Sequence, residues 1–154
     1  MLRIYVVGKP KKGFIKNGVD EFIKRLSPYK VEVNFIKESG IPRSPSLYDD
    51  VKEKEWIKLL KYKKSSEKLF LWDVRGELWS TDNLVSLFQR SINQGNKLFM
   101  VIGGPLGVPE RAYRESDYVV SLSRFTFTHQ MALLMVLEQV YRVFKIINGE
   151  PYAY

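Results

Sequence analysis

Apolar positions recur along this chain in two rhythms. RIYVVG (3–8) is a near-continuous apolar run closed by glycine, as buried parallel strands are, and it predicts a first strand. Phe14, Phe22, Ile23 and Leu26 then recur at helical spacing, which predicts a helix over 14–27 with those residues inward and Pro28 as its stop. VEVNFI (31–36) alternates as a strand does, and SGIPRSPS (39–46) is a loop of serine, glycine and proline. From Ser46 to about Lys64 the pattern is helical, with Leu47, Val51, Trp56, Leu59 and Leu60 facing in.

LFLWDV (69–74) reads as a third strand, RGELWST as a turn, and Ser80 or Thr81 as the cap of a helix that runs through Gln94 to Gly95. KLFMVIGG is a fourth strand and VPERAY the start of a short helix. DYVVSLS (117–123) is a fifth strand, and Thr128 caps a last helix to Ile147. Strands alternating with helices predict an α/β domain with a mostly parallel sheet flanked by helices. Ligands of such sheets sit beyond the carboxyl ends of the strands. Three strand ends are therefore candidates: Leu71–Asp73, Ile102–Gly107 and Leu122–Thr128.

Length and composition narrow the class. The 154 residues suit one domain, 1–154, and 45% hydrophobic content supports a real core. The absence of cysteine excludes disulfides, thiolate metal sites and cysteine nucleophiles. MLRIYVVGKPKKG has too short an apolar stretch for a signal peptide, and MALLMVL (131–137) is far below the roughly 20 residues that span a bilayer. These features predict a cytoplasmic protein with no membrane partner.

Charge divides the chain. Residues 1–64 carry 16 Lys/Arg against 8 Asp/Glu, and residues 65–154 carry 9 against 9. The whole excess of +8 lies in the first part, which suits a polyanion such as RNA as well as it suits a solubilising surface. The division predicts a basic half that grips and a second half that reacts.

Gly103-Gly104-Pro105 follows a buried strand, and glycine lets a ligand approach the backbone closely. No Lys-Ser/Thr pair follows, so a Walker-type phosphate loop is excluded, and the spacing is not that of the dinucleotide fingerprint. A tight turn with no ligand is the alternative. SLSRFTFTH (121–129) offers hydroxyls and rings that suit a flat base, although a strand with alternating faces would read the same way. His129, the single histidine, stands at a helix start that favours its neutral form, as a proton acceptor needs. Alone it forms no histidine metal cluster, and no metal is expected. Glu138 and Arg142 stand four apart in the order that favours an ion pair. Seven successive apolar residues on the last helix cover every face of it, which predicts a homodimer.

Taken together, LFLWDVRGELWST, VIGGPLGV, SLSRFTFTHQ and EQVYRVFKIINGEPY resemble the SPOUT-class methyltransferases that modify a pseudouridine of 23S ribosomal RNA at N3, the RlmH type. The resemblance spans nearly the whole chain. It implies a C-terminal trefoil knot in the 65–154 half, a homodimer, and S-adenosylmethionine bound among the knot loops. Gly103 and Gly104 would close around that cofactor. Leu122, Ser123, Arg124, Phe125, Thr126 and Phe127 would form the adenosine loop, with Leu71 near the adenine. The implied chemistry is an in-line displacement in which N3 attacks the methyl carbon, with His129, Arg142 and Tyr152 lining the site and Glu138 in support. The substrate implied is 23S rRNA in the assembled ribosome.

Two features depart from the family pattern. Relatives end in Pro-Tyr-His and a basic residue where this chain ends Pro151-Tyr152-Ala153-Tyr154, and Leu133 stands where an arginine is common. The altered ending motivates an alternative, a catalytically inactive ribosome- or RNA-binding protein of the same fold. A nucleotide-binding regulator is the third reading.

Overall fold

The computed structural model describes residues 1–152; Ala153 and Tyr154 lie outside the described residues. Five strands, β1 (Leu2–Val7), β2 (Glu32–Ile36), β3 (Glu67–Leu78), β4 (Lys97–Ile102) and β5 (Tyr118–Ser121), alternate with five helices. These are α1 (Phe14–Leu26), α2 (Tyr48–Leu60), α3 (Thr81–Gln94), α4 (Glu110–Glu115) and α5 (His129–Ile147). All strand pairs are parallel, in the order β2-β1-β4-β3-β5.

Strand parity sorts the core into two layers. Ile4 and Val6 of β1 and Leu98 and Met100 of β4 point to one face, where α1, α3 and α5 bury Leu26, Phe88 and Val140 against them. Tyr5 and Val7, with Phe99 and Val101, point to the other, against Trp56 and Leu59 of α2 and Ala112 of α4. Both faces of the sheet are thus covered, as the unbroken apolar strands require.

Local signals set several boundaries. Ser80 Oγ accepts a hydrogen bond from the Asn83 amide, Asn83 Oδ1 accepts one from the Ser80 amide, and Gly95 closes α3 in the left-handed conformation. Thr128 caps α5 by accepting from the Met131 amide at 3.3 Å.

Other expectations are corrected. The α1 helix ends at Leu26, just before Pro28 as expected, but the chain continues through a 3-10 turn over Ser27–Tyr29 with Pro28 at its second position. The α2 region begins as a 3-10 turn over Pro45–Leu47, the helix ends at Leu60, and Leu47 is exposed. Phe14, at the open start of α1, is 75% exposed rather than core.

RGELWST is not simply a turn. Trp72 and Glu77 both pair with Val120, so residues 73–76 loop out and β3 then resumes along β5 to Leu78.

The apolar run of α5 is absorbed in part within the chain. Leu133, Val136, Leu137, Val140 and Val143 are fully buried between the sheet and the neighbouring helices, and Leu134 rests on Gly18 of α1. Leu133 is therefore a core residue. Met131, Ala132, Leu134 and Met135 of the same run are only partly buried.

Candidate active site

The looped-out middle of β3 and the carboxyl ends of β4 and β5 open into one cleft of about 1020 Å³, at the upper end of the ~300–1,000 Å³ usual for small-molecule sites. Its walls come from all three candidate strand ends: Trp72 and Asp73, Ile102 to Gly107, and Leu122 to Thr128 without Arg124. His129 and Ala132 extend it along the first turn of α5.

The glycine loop forms one side. Gly104 bonds back on itself, with Gly107 N–H donating to the Gly104 carbonyl at 3.0 Å, and Gly107 adopts a left-handed φ of 83°. A Cβ on Gly104 would point down, 3.0 Å from Val7 Cγ1 and 3.2 Å from Glu55 Oε1. The glycine is needed so that the loop can settle onto β1 and α2, and the cleft owes its depth to that. Glu55 is only 3% exposed; its Oε2 accepts from the Ser39 amide at 2.9 Å, while Oε1 has no partner. Burial pushes this carboxyl above its ordinary value, partly offset by the Ser39 amide.

Opposite stands the 121–128 loop, pinned by Ser121 Oγ donating to the Ser123 carbonyl at 2.7 Å and Ser123 Oγ accepting from the Phe125 amide at 3.0 Å. Phe125 is 81% exposed, an apolar ring with nothing on it at the edge of the cleft. The looped-out segment of β3 makes the rim. Arg75 donates to both carboxylate oxygens of Glu110, at 2.9 and 3.1 Å, and its guanidinium lies 4.0 Å from the Tyr113 ring centre. Burial, then neighbouring Asp73, holds the Tyr113 hydroxyl up at about 12, so it is a neutral hydrogen-bonding group at physiological pH.

His129 is half-buried, and its Nε2 has no hydrogen-bond partner. Burial lowers its proton affinity below the ordinary histidine value, and Glu38 works in the opposite direction. The residue lines the cleft, while this unpartnered nitrogen is buried against Gly8 at the end of β1.

The remaining sequence-derived candidates lie elsewhere. Leu71 is fully buried in the core layer against α2 and α4, and it is its neighbour Trp72 that lines the cleft. Arg124 is exposed and outside the lining. Arg142 is thirteen residues beyond His129 on α5, about 20 Å along the helix axis. There Glu138 Oε1 accepts from both Arg142 Nε (2.7 Å) and Nη2 (2.6 Å). The Arg142 guanidinium covers the Tyr152 ring at 5.1 Å, and Tyr152 meets Tyr141 edge-on at 4.8 Å. Arg25 of α1 lies over Phe22 and Tyr141, which makes this end of α5 a cluster of cations and rings.

Asp73 fell within a candidate strand end, but Arg75, Glu110 and Tyr113 were not singled out, because what joins them is the loop-out of β3 onto α4. Asp49, Lys52 and Glu53 of α2 also reach the cleft, so the basic half shares in it. Among the described residues no group of three or more acids, histidines or cysteines could hold a metal ion, and no helix is long and apolar enough to cross a membrane.

Comparison with known proteins agrees along the whole chain. The family profile described as "Predicted SPOUT methyltransferase" matches residues 1–153. The chain is 42% identical to the "Ribosomal RNA large subunit methyltransferase H" of Halothermothrix orenii, over 98% of each chain. It is 40% identical to the protein of the same name from Dictyoglomus thermophilum, over 99% of each, and 38% identical to that of Acetivibrio thermocellus, over 98% of each.

Proposed function

The chain belongs to the SPOUT methyltransferase family, and from that premise we propose that it methylates N3 of a pseudouridine in 23S ribosomal RNA with S-adenosylmethionine as donor. It is an S-adenosylmethionine-dependent rRNA methyltransferase. The observation that carries the finer reading is the cleft itself: a glycine wall, an exposed ring and the single histidine meet beside three adjacent strands. The residues fit the donor. The volume accommodates a nucleoside and an amino acid together, and Gly103 and Gly104 line its wall.

S-adenosylmethionine supplies, when bound, a methyl group on a positively charged sulfur. The rest falls to the chain. Gly103, Gly104, Leu122, Ser123, Phe125, Thr126 and Phe127 would hold the donor. His129 takes the N3 proton of the target base, and the acceleration comes mainly from fixing base and donor in line. Arg142 and Tyr152 orient the RNA, with Glu138 holding the Arg142 fork.

About 20 Å of helix separates His129 from Arg142, so one copy does not bring these groups to one base. That separation supports a homodimer in which the second copy's α5 end reaches the first copy's cleft. The 1–64 half, with its charge excess, grips rRNA on the assembled ribosome in the cytoplasm, and the 65–154 half carries the donor site and the trefoil knot.

Labelled methyl transfer to ribosomes lacking the modification, followed by mapping of the labelled nucleotide, tests this reading. Label on N3 of a 23S pseudouridine is expected. Donor binding with no label on any 23S nucleotide would instead favour the inactive RNA-binding alternative.

A further inference from the structure

Gly8 ends β1 with a left-handed φ of 89° and donates its N–H to the Ile36 carbonyl at 2.8 Å. Two side chains converge on the space a Cβ would fill there. Glu38 Oε2 lies 3.0 Å from that point and His129 Nε2 lies 3.2 Å from it. Glu38 belongs to the segment between β2 and α2, and His129 opens α5, so two distant parts of the chain meet at Gly8. That imidazole nitrogen is buried without a hydrogen-bond partner.

We propose that Glu38 is a positioning residue for His129, holding the imidazole as the basic group of the cleft. Two influences act against a basic imidazole at this place. Burial disfavours its charged form, and the amino end of α5 does the same. Glu38 is the acid that opposes them. Glu55 of α2, the next nearest acid, raises no comparable claim, because its Oε2 is engaged by Ser39 and its Oε1 faces Gly104. Lys9 and Lys37 line the shallow cavity on the far side of Glu38, and both are exposed, so water screens them. Glycine at position 8 is part of the device: a methyl there would sit between the two groups.

Because His129 is the single histidine, its titration is read by NMR without assignment. The comparison is wild type, Glu38→Gln and, as a control for loss of one acid, Glu32→Gln on the exposed side of β2. Glu38→Gln is expected to titrate at lower pH than wild type, while Glu32→Gln follows wild type. Coincident curves for wild type and Glu38→Gln, or an equal shift in Glu32→Gln, overturn the proposal. The consequence for catalysis rests on the methyl-transfer reading. There the acid limb of the pH–rate profile in Glu38→Gln moves to lower pH with the KM for S-adenosylmethionine unchanged. The titration needs no turnover, so a protein that transfers no methyl would end that reading and leave the Glu38–His129 relation to be judged on its own.

Discussion

Gly76 lies flat against the peptide that joins Val119 to Val120. A Cβ on it would come within 2.5 Å of both the Val119 carbonyl carbon and the Val120 nitrogen. This backbone-on-backbone contact is where β3 rejoins β5 after the loop that carries Asp73 and Arg75 to the cleft rim. Gly76→Ala must push the strands apart. Overpacking of this kind costs about 1–3 kcal/mol, which for a chain of this size lowers Tm by roughly 2–12 °C. Thermal melts with donor binding in parallel check it; an unchanged Tm would mean that the loop yields freely.

The glycine wall gives a second expectation. Because a side chain at Gly104 is directed at Val7 and Glu55, Gly104→Val lifts the loop into the cleft from below. Donor affinity should fall by at least tenfold in calorimetry. Affinity within twofold of wild type would remove this loop from the site.

His129 and Arg142 are predicted to act from different copies. His129→Ala and Arg142→Met should each abolish transfer alone. Co-refolded in equal amounts, they should recover about a quarter of wild-type activity, since a two-fold dimer that pairs one of each has one intact site. No recovery, with dimers confirmed by mass, would place both groups in one copy's site or outside catalysis.

Reversing the charges of Lys9, Lys11, Lys12, Lys24 and Arg25 should weaken RNA binding and flatten its dependence on salt while sparing donor affinity. RNA binding that survives at moderate salt would refute the division of labour between the halves.

Stability should respond to acid through Arg3 and Glu67. Arg3 donates to both Glu67 oxygens, at 2.8 and 2.6 Å, and the Lys64 amide adds a third bond at 2.7 Å. Burial pushes this carboxyl up, yet these partners outweigh it and leave its pKa below the ordinary value. A lowered folded-state pKa stabilises above the unfolded value and ceases to do so as pH falls through the folded one. Arg3→Met, which leaves a buried acid unpaired, should cost about 3 kcal/mol near neutrality. Denaturant titrations should show that cost shrinking below the ordinary carboxylate pKa; a pH-independent difference would mean the ion pair is not its source.

What the sequence made legible was what neighbouring residues decide. The Ser80–Asn83 box and Gly95 bound α3 by bonds within a few residues, and Thr128 starts α5 in the same way. The three strand ends were legible because a parallel sheet leaves ligands little other choice. What was hidden depends on residues far apart. The second half of β3 pairs with a strand some 45 residues later. In Leu71-Trp72 both residues are apolar, so periodicity cannot tell which faces the core and which the cleft. The burial of α5 depends on helices that its own sequence does not describe.

The sheet order has a consequence for synthesis. β1, the first strand made, sits between β2 and β4, and its second edge is closed only by residues 97–102. Until those residues leave the ribosome, a long apolar strand keeps one side of its backbone open to pairing with other chains. Nascent chains halted shortly before residue 97 should therefore be the most aggregation-prone of any length. Folding of the whole should wait on that late, long-range closure rather than on any helix.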